Sequence, residues 1–153
     1  MVASTTEVRL EEIGRELFDI VTQICLAVLR GRRRTGDLKE VEFLTLNILQ
    51  DHGTMIVGDI QRMLGILPAQ MSRIIRSLEN RERPLIACRI NPRDKRKIDV
   101  CMTEAGERAL QEYQALRVDR IVGLLRDLPE EEQDDLNRLV DKLHHLLERS
   151  PVA

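Results

Sequence analysis

Apolar residues recur at intervals of three and four positions over most of this chain, a spacing typical of one face of an α-helix. It predicts long helices over about 6–30, 38–51, 103–127 and 129–148. Gly53 follows the second helix where a C-cap glycine is common, and Thr103 is suited to cap the start of the third. The chain is therefore predicted to be mainly α-helical.

Two short helices with a tight link between them follow the second long helix. The pattern predicts one helix over about 57–64 and another from Pro68, a residue favoured in the first helical turn, to about Asn80. Gly65 lies in the link between them, and such a pair of helices is typical of a helix-turn-helix. The inner face of the second short helix is predicted to carry Met71, Ile74, Ile75 and Leu78.

The periodicity then changes from that of a helix to that of a strand. The segment 85–90 is rich in β-forming residues, 91–96 has turn composition, and 97–102 alternates polar and apolar residues. These features predict a β-hairpin with a charged tip. One face, with Ile98, Val100 and Met102, is expected to pack on the helices, leaving Lys97 and Asp99 outward.

Charge is distributed unevenly along the chain. The net charge is −2 over residues 1–52, +5 over 53–102 and −5 over 103–153. The basic segment coincides with the predicted helix-turn-helix and hairpin. This coincidence favours a surface that binds nucleic-acid phosphates, the alternative being a solvated surface with an uneven charge. The basic run 32–34 is interpreted as a solvated loop near a helix C-terminus, the alternative being a contact to a DNA backbone.

Several classes of protein are disfavoured by the sequence. No apolar run approaches the ~18 residues of a membrane-spanning helix, and no secretory signal begins the chain, so we expect a cytoplasmic protein. One Tyr, two Phe and no Trp disfavour a platform that stacks single-stranded bases. Three histidines at 52, 144 and 145 make a metal site improbable. No catalytic motif or glycine-rich phosphate loop is present, so neither an enzyme nor a cofactor is predicted.

The second helix of a helix-turn-helix presents its N-terminal residues to the DNA major groove. Glutamine can pair with adenine, arginine with guanine, and serine can reach a base or a phosphate, whereas Ala69 could contact a thymine methyl group. Arg76 lies one turn further along, so a phosphate contact is favoured for it. The candidate DNA-binding residues on this helix are Gln70, Ser72, Arg73, Arg76 and Ser77.

The tip of the predicted hairpin supplies a second group of candidates. Arg93, Lys95, Arg96 and Lys97 lie within five residues, and a basic tip of this kind suits insertion into a narrow, electronegative minor groove. The acidic Asp94 between them is expected to hold a neighbouring arginine by a charge-assisted hydrogen bond. A solubilised β-turn without a partner is the alternative.

The segment 55–106 resembles the multiple-antibiotic-resistance regulator (MarR) family. The resemblance is carried by Leu64-Gly65 before the recognition helix, Ser72-Arg73 within it, Asp94-Lys95-Arg96 at the wing tip, and Thr103-Glu104-Ala105-Gly106 at the start of the next helix. It implies a mainly α fold, a winged helix-turn-helix with long N- and C-terminal dimerisation helices. The whole chain, 1–153, would form a single domain, with 37–104 as the DNA-binding part and 6–30 and 104–148 as the dimerisation helices.

The same resemblance implies a function. Such a protein would be a homodimeric transcriptional regulator, usually a repressor, that binds a pseudo-palindromic operator in double-stranded DNA. Ser72 and Arg73 would read the major groove and Arg96 would enter the minor groove, while a small phenolic or lipophilic ligand would release the DNA. The chain differs from the family pattern at 79–84, a longer junction that lacks the usual glycine, and at Leu67-Pro68, where a polar cap is common.

The three cysteines are the remaining candidates for chemistry. The sequence around Cys25 is similar to the sensing segment of the organic-hydroperoxide branch of this family, but the tyrosines that support that thiol are missing. A buried core cysteine is therefore expected, with thiol-based oxidant sensing as an alternative function. Cys88 and Cys101 could approach each other in one strand register, although reduced thiols are expected. A winged-helix protein-interaction module is a further alternative.

Overall fold

A computed structural model describes residues 4–30 and 37–150, so the basic run 32–34 lies outside the described residues. The elements in chain order are α1 (Thr5–Leu29), α2 (Glu40–His52), β1 (Met55–Ile56), α3 (Val57–Leu64), α4 (Pro68–Glu79), β2 (Ile86–Ile90), β3 (Ile98–Met102), α5 (Glu104–Leu125) and α6 (Glu130–Arg149). Every predicted helix and both hairpin strands are therefore confirmed, with ends that differ by a few residues. The mainly α winged-helix fold is confirmed as well.

The short strand β1 is the element that the sequence pattern did not predict. It pairs antiparallel with β3, opposite Val100 and Asp99, and forms one edge of a sheet with the strand order β1-β3-β2. A strand of two residues is too short for alternation to be recognised in a sequence. Its pairing places the start of α3 directly beside the hairpin.

The expected packing face of the hairpin is only partly correct. Val100 is fully buried and Met102 half-buried, but Ile98 is 37% exposed and its cross-strand partner Ile90 is 65% exposed. This pair is the last before the turn, so the hairpin continues past the buried part of the sheet. Asp99, expected to point outward, is half-buried because its carboxylate accepts a hydrogen bond of 2.8 Å from the Asn91 side chain.

The chain divides into two compact units, and the predicted helix-turn-helix and hairpin both belong to the unit formed by residues 31–117. Its core draws on every element from α2 to the first half of α5. The fully or nearly fully buried apolar side chains include Leu46, Ile60, Met71, Leu78, Ile86, Val100 and Leu110. This core fixes α3, α4 and the hairpin around one another. The unit boundary falls within α5, beyond the limit at 104 expected for the DNA-binding part.

The start of α5 explains the Thr-Glu-Ala-Gly motif. The Thr103 hydroxyl donates to the Pro84 carbonyl at 2.6 Å and accepts from the Gly106 N–H at 3.1 Å, so it caps α5 and also holds the chain that enters β2. A Cβ atom at Gly106 would lie 2.1 Å from the carbonyl oxygen of Leu85. Only glycine allows this close approach, and the motif therefore locks the hairpin to α5.

The other unit comprises residues 1–30 and 118–153, of which α1, the end of α5 and α6 are described. Its helices expose many large apolar side chains, including Phe18 at 75% and Leu10 at 62%. The expectation that Cys25 is a buried core residue is wrong for the single chain, because Cys25 is exposed on α1. No helix in the described part of the chain has the length and apolar character needed to cross a membrane.

Candidate nucleic-acid interface

The helices α3 and α4 form the predicted helix-turn-helix. Gly65 ends α3 in the left-handed region at φ 63°, and its N–H donates to the Arg62 carbonyl at 3.2 Å. Pro68 starts α4, and Leu67 caps it without a side-chain hydrogen bond. The left-handed glycine turns the chain sharply between the two helices, because a residue with a Cβ atom would be strained there.

The helical period separates the two faces of α4 as expected. Met71, Ile74 and Leu78 are buried and Ile75 is half-buried, which confirms the predicted inner face. The outward residues Ala69, Gln70, Ser72, Arg73, Arg76 and Ser77 are all exposed. The N-terminal half of α4 therefore presents an amide, a hydroxyl and a guanidinium group to solvent, the donor types that read base edges.

Ser77 differs from the other outward residues of α4. Its hydroxyl donates a hydrogen bond to the carboxylate of Glu42, which is only 2% exposed. The side chain is thus engaged within the protein, and we leave Ser77 out of the set proposed to contact DNA.

The wing, which comprises β2, β3 and the turn 91–97 between them, has a tightly bonded tip. The Asn91 side-chain oxygen accepts from the N–H groups of Arg93 at 2.9 Å and Asp94 at 3.0 Å, while the Asn91 N–H donates to the Lys97 carbonyl at 2.9 Å. The Lys97 N–H in turn donates to the Asp94 carbonyl at 2.9 Å. These bonds hold the turn in one shape, so the basic side chains leave it from fixed positions.

Asp94 holds Arg96 as expected. Its Oδ1 accepts from the Arg96 backbone N–H at 3.1 Å and from the Arg96 Nε at 3.2 Å, and its Oδ2 lies 3.4 Å from the Arg96 Nη2. The Arg96 side chain is nevertheless 90% exposed. The hydrogen bonds from the Arg96 side chain and backbone, with a smaller contribution from the positive charge of Lys97, lower the pKa of Asp94 below its usual value. The carboxylate is therefore ionised at neutral pH.

A groove of about 700 Å³ joins the two groups of candidates. Ser72 and Arg76 of α4 line it together with Arg96 and Lys97 of the wing. Its other charged lining residues are Arg62, which pairs with Asp59 of α3, and Glu79 of α4, so cations outnumber carboxylates in the groove. The described structure thus brings residues from the recognition helix and the wing to one basic surface. Arg93 and Lys95 are exposed at the wing tip, outside this groove.

The cysteines of the wing do not form a reactive pair. Cys88 lies opposite Val100 and Cys101 lies opposite Ala87, so the two thiols are on opposite faces of the hairpin, and both are free. Burial, and then the negative charge of Glu79, raise the pKa of the Cys88 thiol to about 11. A thiol of this kind is protonated at neutral pH and a poor nucleophile.

Sequence reasoning missed two residues of this unit, Glu42 and Arg81. The Glu42 Oε2 lies 2.9 Å from the Arg81 Nη2, an ion pair between α2 and the junction after α4. A signal was present, because Glu42 falls four residues after Leu38 and four before Leu46 on the apolar face of α2. A carboxylate on the inner face of a helix requires a partner, although the sequence does not identify which residue that is.

Solved structures share the fold of the whole chain. The X-ray crystal structure of YusO from Bacillus subtilis is 24% identical, covers 93% of this chain and 99% of its own, and has a TM-score of 0.69. The apo form of wild-type MarR from E. coli is 19% identical, covers 85% of this chain and 94% of its own, and has a TM-score of 0.71. BpsR from Bordetella bronchiseptica is 22% identical, with 87% and 98% covered and a TM-score of 0.61.

Sequence comparison identifies a family for one segment of the chain. A comparison with curated proteins gave no significant match. The MarR family model, however, matches residues 38–98, from the residues before α2 to the start of β3. The resemblance seen in the sequence is therefore confirmed over these residues, and the match supports a transcriptional regulator.

The MarR family segment contains the whole surface described above. It includes α3, α4, the turn of the wing and both partners of the Glu42–Arg81 ion pair. The Thr103–Gly106 motif lies just beyond it. In this chain, the junction 79–84 lacks a glycine, and an ion pair to α2 is present there instead.

Proposed function

We propose that this MarR family protein is a homodimeric repressor that binds a pseudo-palindromic operator and releases it when a small-molecule ligand binds. The observation that carries the proposal is the basic groove between α4 and the wing, where Ser72 and Arg76 face Arg96 and Lys97. A helix of this kind enters the major groove, and a cationic wing beside it suits the adjacent minor groove.

The side chains divide by the contacts that they can make. Gln70, Ser72 and Arg73 lie toward the N-terminus of α4 and read base edges in the major groove. Arg76, one turn later, contacts a phosphate. At the wing, Arg96 enters the minor groove, and the remaining cations bind the flanking phosphates. The wing residues in this set are Arg93, Lys95, Arg96 and Lys97.

Dimerisation is supported by the apolar surface of α1 and α6. Phe18 and Val21 of α1 are 75% and 57% exposed, and Leu146 and Leu147 of α6 are 61% and 60% exposed. Monomeric proteins rarely expose contiguous apolar surface on this scale, and closed two-fold dimers are the commonest assembly that covers it. Two copies related in this way bind two half-sites about one helical turn apart.

Release by a ligand is supported by a structural relative. The BpsR structure addresses regulation of the DNA binding of that protein by 6-hydroxynicotinic acid. For the present chain we propose an effector of the same broad kind, a small phenolic or lipophilic molecule. As a regulator of chromosomal genes, the protein acts in the cytoplasm.

A salt titration separates DNA binding from binding to a protein partner. Anisotropy of a labelled mixed-sequence duplex is measured at several salt concentrations, where the logarithm of the affinity falls with a slope of about −0.9 for each phosphate that is neutralised. We expect a steep slope that becomes shallower by about one unit for each bound subunit in Arg96→Ala. A folded protein that binds no duplex would instead favour a winged-helix module for an acidic protein partner.

The exposure of Cys25 favours one further candidate, an oxidant-sensing regulator. Peroxide treatment would then release the DNA from the parent protein but not from Cys25→Ser. If both proteins keep their DNA after the same treatment, a small-molecule ligand is the remaining route to release.

A further inference from the structure

The carboxylate of Glu42 is nearly inaccessible to solvent, although it belongs to a small domain unit with a charged surface. Its exposure is 2%. Removing an ionised carboxylate from water is costly unless charged and hydrogen-bonding groups replace the water, so its partners identify what it holds in place.

Three donors surround this carboxylate. The backbone N–H of Lys39, at the start of α2, donates to Oε2 at 2.9 Å, and the Arg81 Nη2 donates to the same oxygen at 2.9 Å. The Ser77 hydroxyl donates to Oε1. One side chain of α2 therefore binds its own N-terminus, the last turn of α4, and the segment that leaves α4.

The segment that leaves α4 is the junction 79–84, which lacks the glycine of the family pattern. Asn80 ends the helix with φ −91°, and no described residue other than glycine has a positive φ. The chain instead closes the junction with a backbone bond of 3.0 Å from the Leu85 N–H to the Leu78 carbonyl. Leu78 and Leu85 are both buried, so the path of the junction is defined on its inner side by apolar packing and on its outer side by Arg81.

We propose that Glu42 is a positioning residue for DNA recognition: through Ser77 and Arg81, it sets the direction of α4 and of the chain that enters the wing. This inference rests on the proposed DNA-binding function. Without the carboxylate, α4 keeps its apolar anchor but loses its polar anchor at the C-terminal end. The recognition helix and the wing then sample several relative orientations, and only a few of these fit both grooves of an operator.

The test is the ratio of two affinities in Glu42→Gln. One probe is the duplex selected by the parent protein from a random library, and the other is a mixed-sequence duplex of the same length. We expect operator affinity to fall about tenfold and mixed-sequence affinity to change less than twofold, because phosphate contacts tolerate a misoriented helix. A variant that is merely less folded would lose both affinities equally, and that result would overturn the proposal. Glu82→Gln, an exposed neighbour of Arg81, is the matched control and should keep the parent ratio.

Ser77 provides a milder variant in case Glu42→Gln does not fold. Ser77→Ala removes one donor from the network, so we expect a smaller loss of operator discrimination than in Glu42→Gln. Where Glu42→Gln folds, adding Ser77→Ala to it should cause no further loss. Additive losses in the double variant would mean that Ser77 contacts DNA directly, and they would overturn the role given to it here.

Hydrogen exchange reports on the network without DNA. In Glu42→Gln, or in Ser77→Ala if the former is unfolded, amides in the last turn of α4 and in 80–85 should exchange faster, while those of α3 keep the parent rate. Unchanged exchange in both regions would contradict the proposal that Glu42 holds the end of α4 and the junction in place. If the parent protein selects no DNA sequence, that result overturns both this inference and the proposed function. If the parent protein and Glu42→Gln select their operator equally well, only the inference is overturned.

Discussion

The Arg96 side chain is 90% exposed, yet its Nε lies 3.2 Å from the Oδ1 of Asp94, which holds it against the turn of the wing. An acidic residue at the tip of a basic wing opposes DNA binding by its charge. It also fixes the direction in which the arginine leaves the turn. A fixed direction of the Arg96 side chain favours one binding geometry. It should therefore matter more for affinity to operator DNA than for affinity to mixed-sequence DNA.

Asp94→Asn should therefore lower sequence discrimination while raising general affinity for DNA. Loss of a charge-assisted hydrogen bond is expected to lower operator affinity, because Arg96 is no longer held in one direction. The lost negative charge strengthens binding to mixed-sequence DNA. Both affinities are measured by anisotropy at one salt concentration. In an Arg96→Ala background the same substitution should leave their ratio unchanged. A parent-like ratio for Asp94→Asn alone would contradict the positioning role.

Arg73 and Arg96 should differ in how they affect base preference. Arg73→Ala removes a side chain that we propose to read base edges, so it should cost about 1–3 kcal/mol on the operator and relax the preference at one position of each half-site. Arg96→Ala should weaken binding to all sequences and reduce the salt slope by about one for each subunit. Arg138→Ala, which removes an exposed α6 arginine paired with Asp135, is the control and should bind as the parent does. Equal base preference in Arg73→Ala and the parent would remove Arg73 from the reading set.

Gly106 should tolerate no side chain. The Cβ of Gly106→Ala would lie 2.1 Å from the Leu85 carbonyl oxygen, so β2 and α5 must separate, at a cost of about 3 kcal/mol in unfolding free energy. Gly58→Ala is the matched control, since a Cβ there meets no atom within 4 Å. Urea unfolding of the two variants should show a large loss of stability for the first and a change of less than about 1 kcal/mol for the second. Similar midpoints for both would contradict the described packing of the junction.

Cys88 should behave as a protonated, unreactive thiol at neutral pH. Because its pKa is raised to about 11, its rate of alkylation by iodoacetamide should still be rising tenfold per pH unit between pH 9 and 10. An ordinary thiol with a pKa of about 8.5 would level off over that range. Peptide mapping after timed alkylation measures the rate at this residue, and a plateau near pH 9 would contradict the effect of burial and Glu79.

The fold was largely predictable from the sequence because the relevant signals are local. The period of α4 separates Met71 and Ile74 from Gln70 and Arg73, and the alternation in 97–102 predicts a strand. What could not be predicted depends on distant residues. Glu42 and Arg81 are separated by 39 positions, and no local pattern pairs them. The exposure of Cys25 also escaped prediction, because an apolar stripe on a helix does not reveal whether its own chain covers it.

The exposure of the candidate residues on α4 was predictable from the helical period, but the hydrogen-bond partners within the site were not. Ser77 lies on the outward face of α4 by period, yet its hydroxyl donates to Glu42. The partner of Asp94, in contrast, could be predicted. Only Arg93, Arg96 and the two lysines of the tip are close to it in sequence, and the short turn limits which of these cations it can bind. Side chains in turns are therefore easier to assign than side chains at the ends of helices.

Selection of bound duplexes from a random library, at near-physiological salt, tests the central claim most directly. The account predicts a pseudo-palindrome whose two half-sites lie about one helical turn apart, recovered by the parent protein and blurred by Arg73→Ala. Recovery of no common sequence by folded parent protein would contradict a sequence-specific dimeric regulator.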